Sequence, residues 1–211
     1  MEDSSIRILE KCVIPELHIL QGFVNHLFWD KNGIKDIVGE QKALIWPKKL
    51  NAILVNYHGR VFEGNACKKM LENVDALLDV NIYVHLGIDI GRLKLQPFVA
   101  AFKLMNKIVH ACFSNVLMDD DLGSLLYQLE KAIVATEVSR TLKLHILLDH
   151  DLESLQYLEG YGLGFWSEQA GEAVHKEFLK IWLKYLIKNM DDPTFVIRMK
   201  KAIVKFSSIN L

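Results

Sequence analysis

The sequence predicts a mostly α fold, an irregular multi-helix bundle with at most one or two short strands. Apolar residues make up 51% of the 211 residues and charged residues 24%, which is typical of a globular chain. Apolar side chains recur at three- and four-residue steps through most of the sequence, as they do on amphipathic helices. Only 12 Gly and 4 Pro are present, and neither a repeat nor a Gly/Ser/Pro-rich linker is visible. These observations favour a helical globular protein.

The first two thirds of the chain read as successive helices. The first is predicted to begin at Pro15, because Leu17, Leu20, Val24 and Leu27 then recur at helical spacing. Further helices are predicted over 34–45, 48–57, 66–78, 97–115 and 122–138. The glycines at 87 and 91 predict a loop with uncertain short structure over 80–95, and Pro97 is predicted to open the helix that follows.

The last third contains the best candidate for a strand, the apolar run 142–148, although a helical turn is an alternative for so short a run. Ser167 is predicted to cap a helix that extends to about residue 187. Asp192 and Pro193 begin a last helix, to about residue 207. The predicted organisation is an amino-terminal segment (1–14), a helical region (15–140), and a strand with carboxy-terminal helices (141–211), packed as one domain.

Cysteine spacing and the amino terminus bear on the compartment. Cys12, Cys67 and Cys112 are far apart and form no C-x-x-C pair, which argues against a disulfide framework and a structural zinc site. The amino terminus lacks a basic region followed by an apolar core, and no uncharged apolar run approaches the roughly 20 residues of a membrane helix. We therefore expect an intracellular protein without a membrane partner.

Charge is distributed unevenly. From Lys176 to the end there are eight basic residues and three acids, a net charge of +5, whereas the first 175 residues carry 17 basic residues and 23 acids, a net charge of −6. Such a basic segment could contact phosphate or an acidic protein surface, or it could be an ordinary solvated helix face. The candidate DNA-binding residues are Lys176, Lys180, Lys184, Lys188, Arg198, Lys200 and Lys201.

The Ser167-capped helix also carries the candidate catalytic group, which is Glu168, Glu172 and His175. Their i, i+4 and i+7 spacing places them on one helix face, where carboxylates could hold a divalent cation, with Glu168 as the candidate metal ligand. The alternative for Glu168 is an acid that stabilises a helix start. Completed by Asp149 or Asp151, the group predicts a metal-dependent phosphoryl-transfer enzyme with Mg²⁺ or Mn²⁺ as its cofactor.

Three strings carry a family resemblance: PELHILQGFVNH over 15–26, YHGRVFEGNAC over 57–67 and GLGFWSEQAGEAVH over 162–175. Together they resemble the carboxy-terminal part of transposase-like proteins encoded by invertebrate DNA mobile elements, over about residues 14–211. The resemblance implies a ribonuclease H-like core that holds two metal ions with two Asp and one Glu, and a helical insertion before that Glu. Residues 17–138 then resemble the insertion, and 142–148 with the following helix the return to the core. Glu168 resembles the third metal-binding acid, with Glu172 as the competing choice.

The chain departs from that family pattern, since the first two aspartates would lie upstream of Pro15. We therefore expect a transposase-derived fragment or domesticated protein that does not cut DNA and has no cofactor. Residual DNA or protein binding is expected, with DNA, an upstream transposase half or a second copy bound through exposed apolar helix faces as partners. This reading predicts the nucleus, and otherwise the cytoplasm. A helical scaffold or interaction protein without enzymatic role is the remaining alternative.

Overall fold

A computed structural model describes residues 16–55, 60–113, 122–150, 178–185 and 192–209. The chain divides into two compact units, Met1–Trp166 and Ser167–Leu211. Helices dominate both, which confirms the predicted mostly α class.

In the described part of the first unit, the helices and strands follow one another with short connections. The helices are α1 (Glu16–Trp29), α2 (Ile34–Val38), α3 (Glu40–Ala43), α4 (Ile45–Lys49), α5 (Gly64–Glu72), α6 (Val80–Tyr83), α7 (Ile88–Cys112), α8 (Leu122–Val134) and α9 (Leu142–His145). Two 3₁₀ turns (Val74–Leu78 and Val84–Leu86) flank α6, and a π-helical turn (Ile146–His150) continues α9. The strands β1 (Leu54–Val55) and β2 (Val61–Phe62) pair antiparallel.

The core of the first unit forms around α7, which packs along α8 and against α5, while α1 packs on α5. Large aromatic side chains fill its centre. The Phe102 ring lies 5.5 Å from Phe23 and 5.3 Å from Trp46, and the Phe28 ring lies 5.0 Å from Phe62, all in edge-to-face arrangements. All five side chains are fully buried. Burial of each phenylalanine contributes about 1.5–3 kcal/mol, so this cluster is a main source of the unit's stability.

Polar side chains near the carboxy-terminal end of α1 form hydrogen bonds to other segments of the first unit. Asn25 Oδ1 accepts a hydrogen bond from the Phe62 N–H (2.7 Å), and Asn25 Nδ2 donates to the Phe62 carbonyl (2.9 Å), which ties β2 to the helix. At the next residue, His26 Nε2 lies 2.6 Å from the Ser139 carbonyl, and the Ser139 hydroxyl donates to Asp30 (3.1 Å). The two bonds from Asn25 satisfy the partly buried N–H and carbonyl of Phe62.

The prediction of a strand over 142–148 is wrong, because this run is helical. Thr141 caps it: its hydroxyl accepts a hydrogen bond from the Leu144 N–H at 3.3 Å, and its carbonyl accepts one from the His145 N–H at 2.9 Å. Leu144 and Leu147 are buried, three residues apart, whereas Leu142 is 72% exposed. A strand would bury alternate residues, so the burial pattern follows the helical period. This helix packs on α1 within the first unit.

The predicted loop over 80–95 is also helical, and Pro97 does not open a helix. Instead, α7 begins at Ile88, and Pro97 lies inside it. Gly87, at φ +87°, ends the preceding 3₁₀ turn in a backbone conformation that favours glycine. Gly91 is helical and lies against the ring of Tyr83, so its lack of a side chain permits a close approach. Gly87 connects the 3₁₀ turn to α7, and Gly91 allows α7 to pack closely on Tyr83, so neither glycine marks a long loop.

In the second unit, the described residues form two helices, α10 (178–185) and α11 (Phe195–Ile209). Asp192 orders the start of α11, since its Oδ1 accepts hydrogen bonds from the Thr194 N–H (2.7 Å) and hydroxyl (2.6 Å). Phe178 and Trp182 of α10 stack at 6.4 Å. Phe178 meets Phe206 of α11 at 5.6 Å, and Trp182 meets Phe195 at 5.8 Å. The two helices are therefore joined by an aromatic cluster.

Candidate nucleic-acid interface

The residues predicted to carry catalysis, Glu168, Glu172 and His175, lie outside the described residues, as do the candidate DNA-binding residues Lys176 and Lys188. The second predicted acid after the apolar run, Asp151, also lies outside them. The structure does describe Lys180, Lys184, Arg198, Lys200 and Lys201.

These five basic residues lie on α10 and α11 of the second unit. Lys180 and Lys184 stand one turn apart on α10, and Arg198, Lys200 and Lys201 lie in the first half of α11. All five side chains are exposed, as is Lys205 one turn beyond Lys201. The aromatic contacts between the two helices hold the lysines of α10 and α11 on one small unit.

The described residues of the second unit contain these six basic residues and one acid, Asp192, for a net charge of +5. The Asp192 carboxylate accepts hydrogen bonds from Thr194 at the start of α11. The hydrogen bonds that it accepts from the Thr194 hydroxyl and N–H hold its pKa below the ordinary value of 3.8, so it is ionised at neutral pH. Over the whole second unit, Ser167–Leu211, the sequence has eight basic residues and five acids, which is a net charge of +3.

A shallow open groove runs beside this charge. We call it the lysine groove; it has a volume of about 430 Å³ and is lined by Tyr185, Ile197, Lys200, Lys201, Val204 and Lys205. Its lining is mostly apolar, and two of its side chains are largely exposed, Ile197 at 55% and Val204 at 67%. The groove therefore presents apolar and basic side chains next to each other.

Sequence reasoning found the lysines of α11 but missed Tyr185, Ile197 and Val204 as parts of a site. Tyr185 stands at helical spacing from Phe178 and Trp182, so the sequence pattern alone places it with them on an apolar helix face. The signal that could have found the groove is the interleaving of Ile197 and Val204 with Lys200, Lys201 and Lys205, which places apolar and basic residues on neighbouring rows of one helix.

In the first unit, Asp149 was a candidate to complete a metal site, and the structure gives it other partners. Arg140 Nη2 donates to Asp149 Oδ2 at 2.6 Å, and His145 Nδ1 pairs with the same oxygen. The hydrogen bond from Arg140 is the main reason that the Asp149 pKa is lowered from 3.8. Arg140 also approaches Glu130 at 3.4 Å. These contacts make Asp149 part of a surface ion-pair network.

Within the described ranges, no group of three or more His, Cys, Asp or Glu side chains is placed to hold a metal ion. Cys67 and Cys112 of the first unit are buried, and neither forms a disulfide bond. Burial raises the pKa of the Cys67 thiol to about 12, and its Sγ donates to the Phe62 carbonyl at 3.2 Å. A thiol with this pKa is protonated at neutral pH and is a packing residue.

Comparison of the chain with protein families, with curated proteins and with solved structures returned no match. Among the helices that the structure describes, none has both the length and the apolar character needed to cross a membrane.

Proposed function

We propose that this chain is a transposase-derived protein that binds DNA without cutting it, and that its second unit contacts the phosphate backbone. The transposase relation is supported by the three sequence strings over 15–26, 57–67 and 162–175. The same resemblance assigns one metal-binding acid, Glu168, and two-metal cleavage needs several carboxylates that bridge both ions. A binding role is therefore proposed in place of a reaction.

The observation that carries the proposal is the excess of exposed positive charge on α10 and α11. Over Ser167–Leu211 the sequence has eight basic residues and five acids, and such an excess of positive charge attracts phosphate. The first unit, Met1–Trp166, has 17 basic residues and 21 acids, a net charge of −4. The second unit is the better candidate for a polyanion.

Fluorescence anisotropy with a short labelled DNA duplex at several salt concentrations tests the proposal. The logarithm of the association constant should fall linearly with the logarithm of salt concentration, with a slope of about −0.9 per phosphate neutralised. Replacing Lys200 and Lys201 together by Gln should weaken binding at low salt and reduce the slope by up to about 2.

The matched control is the double substitution Lys68→Gln with Lys69→Gln, an adjacent and exposed lysine pair on α5 of the first unit. It removes the same charge and should leave the slope unchanged. Absence of duplex binding even at low salt would refute the proposal. An equal loss from both double variants would show that net charge, and not the second unit, governs binding.

The proposal also predicts that divalent cations are dispensable. Duplex affinity should be the same with EDTA as without it, and a duplex incubated with Mg²⁺ or Mn²⁺ should remain intact. Cleavage that requires either ion and disappears in a Glu168→Gln variant would contradict the proposal and support the metal-dependent enzyme instead.

A second copy of the chain is a further proposed partner. Leu179 and Leu183 lie one turn apart on α10 and are 51% and 59% exposed, and Val196 and Ile203 of α11 are also largely exposed. Apolar surface of this kind favours self-association, because contact removes it from water. Sedimentation at increasing protein concentration should show a dimer or larger species. A monomer at every concentration would contradict this expectation.

A further inference from the structure

The lysine groove offers more than positive charge. Three of its lining side chains are lysines (Lys200, Lys201, Lys205), and the other three are Ile197, Val204 and the aromatic Tyr185. Contacts with the backbone of a duplex would use only the lysines. In a duplex, the bases are stacked and paired, so their apolar faces are not available to an apolar groove.

An unpaired base has an exposed apolar face that can contact the apolar side chains of the groove. Its flat face stacks on aromatic side chains, and the phosphates on either side of it attract lysines. We propose that the lysine groove binds single-stranded nucleic acid, with an unpaired base against Tyr185, Ile197 and Val204 and the adjacent phosphates on the lysines. This inference rests on the proposed function, since it names the form of nucleic acid that the same unit prefers.

An acidic amphipathic helix is the other partner with matching charge. The groove places one aromatic side chain beside three lysines, the combination that binds an unpaired base and its flanking phosphates, so we favour a single strand of nucleic acid over the helix.

The test compares probes that carry the same number of charges. Anisotropy is measured for a labelled thymidine strand, an abasic strand of equal length and a polyglutamate of equal charge, all at one salt concentration. The thymidine strand should bind at least about 5-fold more tightly than the abasic strand, since stacking is gained by the first alone. Equal affinity for the thymidine and abasic strands, or for polyglutamate, would overturn the inference.

A Tyr185→Leu variant tests whether the higher affinity for the thymidine strand comes from the lysine groove. It should lower thymidine-strand affinity to the level of the abasic strand and leave the abasic affinity unchanged. The matched control is Tyr127→Leu, because Tyr127 is 59% exposed on α8 and lies beside Lys131, whose Nζ is 4.2 Å from its ring centre. An equal effect of both variants, or none from Tyr185→Leu, would overturn the assignment.

The duplex used above separates this inference from the proposed function. Duplex binding with no preference for bases in the single strands overturns the inference and leaves the proposed function standing. Absence of binding to every nucleic acid overturns both. The comparison of thymidine and abasic strands uses the unmodified protein, so the inference can fail even if Tyr185→Leu does not fold.

Discussion

Gly91 provides a sharp test of the packing at the start of α7. A Cβ built on Gly91 would lie 2.5, 2.7 and 2.9 Å from Cδ2, Cβ and Cγ of Tyr83. Tyr83 is buried, and its hydroxyl donates to the Leu78 carbonyl at 3.2 Å, so the ring is held at both ends. Two of the three clashing atoms lie next to the Tyr83 backbone. A Gly91→Ala substitution therefore requires a movement of α7 or α6.

Gly22 is the matched control, because it is also helical and has a neighbour that can move. A Cβ at Gly22 would meet the side chain of Lys143, which is exposed and flexible. Alanine in place of a helical glycine gains at most about 1 kcal/mol, and overpacking costs about 1–3 kcal/mol. We expect Gly22→Ala to be neutral or stabilising by up to about 1 kcal/mol. Gly91→Ala should be about 1–3 kcal/mol less stable than Gly22→Ala.

Hydrogen exchange of α7 amides at increasing urea concentration measures these differences, since it reports the opening of the first unit whatever the second unit does. An exchange free energy that is about 1–3 kcal/mol lower in Gly91→Ala than in Gly22→Ala would agree with the structure. Equal stabilisation by both alanines would refute the close approach of Gly91 and Tyr83.

Three further changes test other contacts. Asn25→Ala removes the side-chain acceptor of the Phe62 N–H and one donor to the Phe62 carbonyl, which keeps the Cys67 thiol as a donor. It should lower the free energy of unfolding by about 1–3 kcal/mol in urea titrations. A loss below about 0.5 kcal/mol would contradict the tie to β2. Arg140→Gln should raise the Asp149 pKa, measured by carboxyl NMR. Because the pKa of Asp149 in the folded protein lies below its ordinary value, the ionised carboxylate stabilises the fold at a pH above that ordinary value, and this stabilisation is lost as the pH falls through the folded-state pKa. An Asp149 pKa that does not change in Arg140→Gln would contradict the pairing. The Cys67 thiol, with a pKa of about 12, should resist alkylation at about pH 8 until the protein unfolds. Mass spectrometry of the peptide that contains Cys67 measures the alkylation. Rapid labelling of Cys67 in the native protein would refute its burial.

The sequence was sufficient to predict the helical class, because amphipathic spacing is a local property of each segment. The first helix illustrates this: Leu20, Val24 and Leu27 were expected on one face and are buried together in α1. Local signals failed where tertiary contacts decided the outcome. The run 142–148 is apolar enough for a strand, and only the Thr141 cap and the packing of Leu144 and Leu147 make it helical.

Glycine and proline were the least reliable signals. Gly91 was read as a helix breaker, yet its missing side chain admits the Tyr83 ring beside a continuous helix. Pro97 was read as a helix start, and it lies inside α7 instead. In both cases the cost of an unfavourable residue in a helix, about 1 kcal/mol for Gly and 3 for Pro, is smaller than the burial gained by the long helix.

The candidate site was predictable as a set of charges and not as a shape. Counting residues identified Lys200 and Lys201, because an excess of basic residues is visible without a structure. The groove requires Tyr185 from α10 beside Ile197 and Val204 from α11, and this arrangement depends on how two helices meet. The sequence pattern of one helix does not show how that helix packs on the other.

Lysine footprinting tests most directly whether the second unit binds nucleic acid. The protein is acetylated briefly with and without saturating DNA, and the modification of each lysine is quantified by mass spectrometry. The account predicts protection of Lys184, Lys200 and Lys201, with Lys68 and Lys69 modified equally in both samples. Protection confined to lysines of the first unit, or none at all with bound DNA, would contradict it.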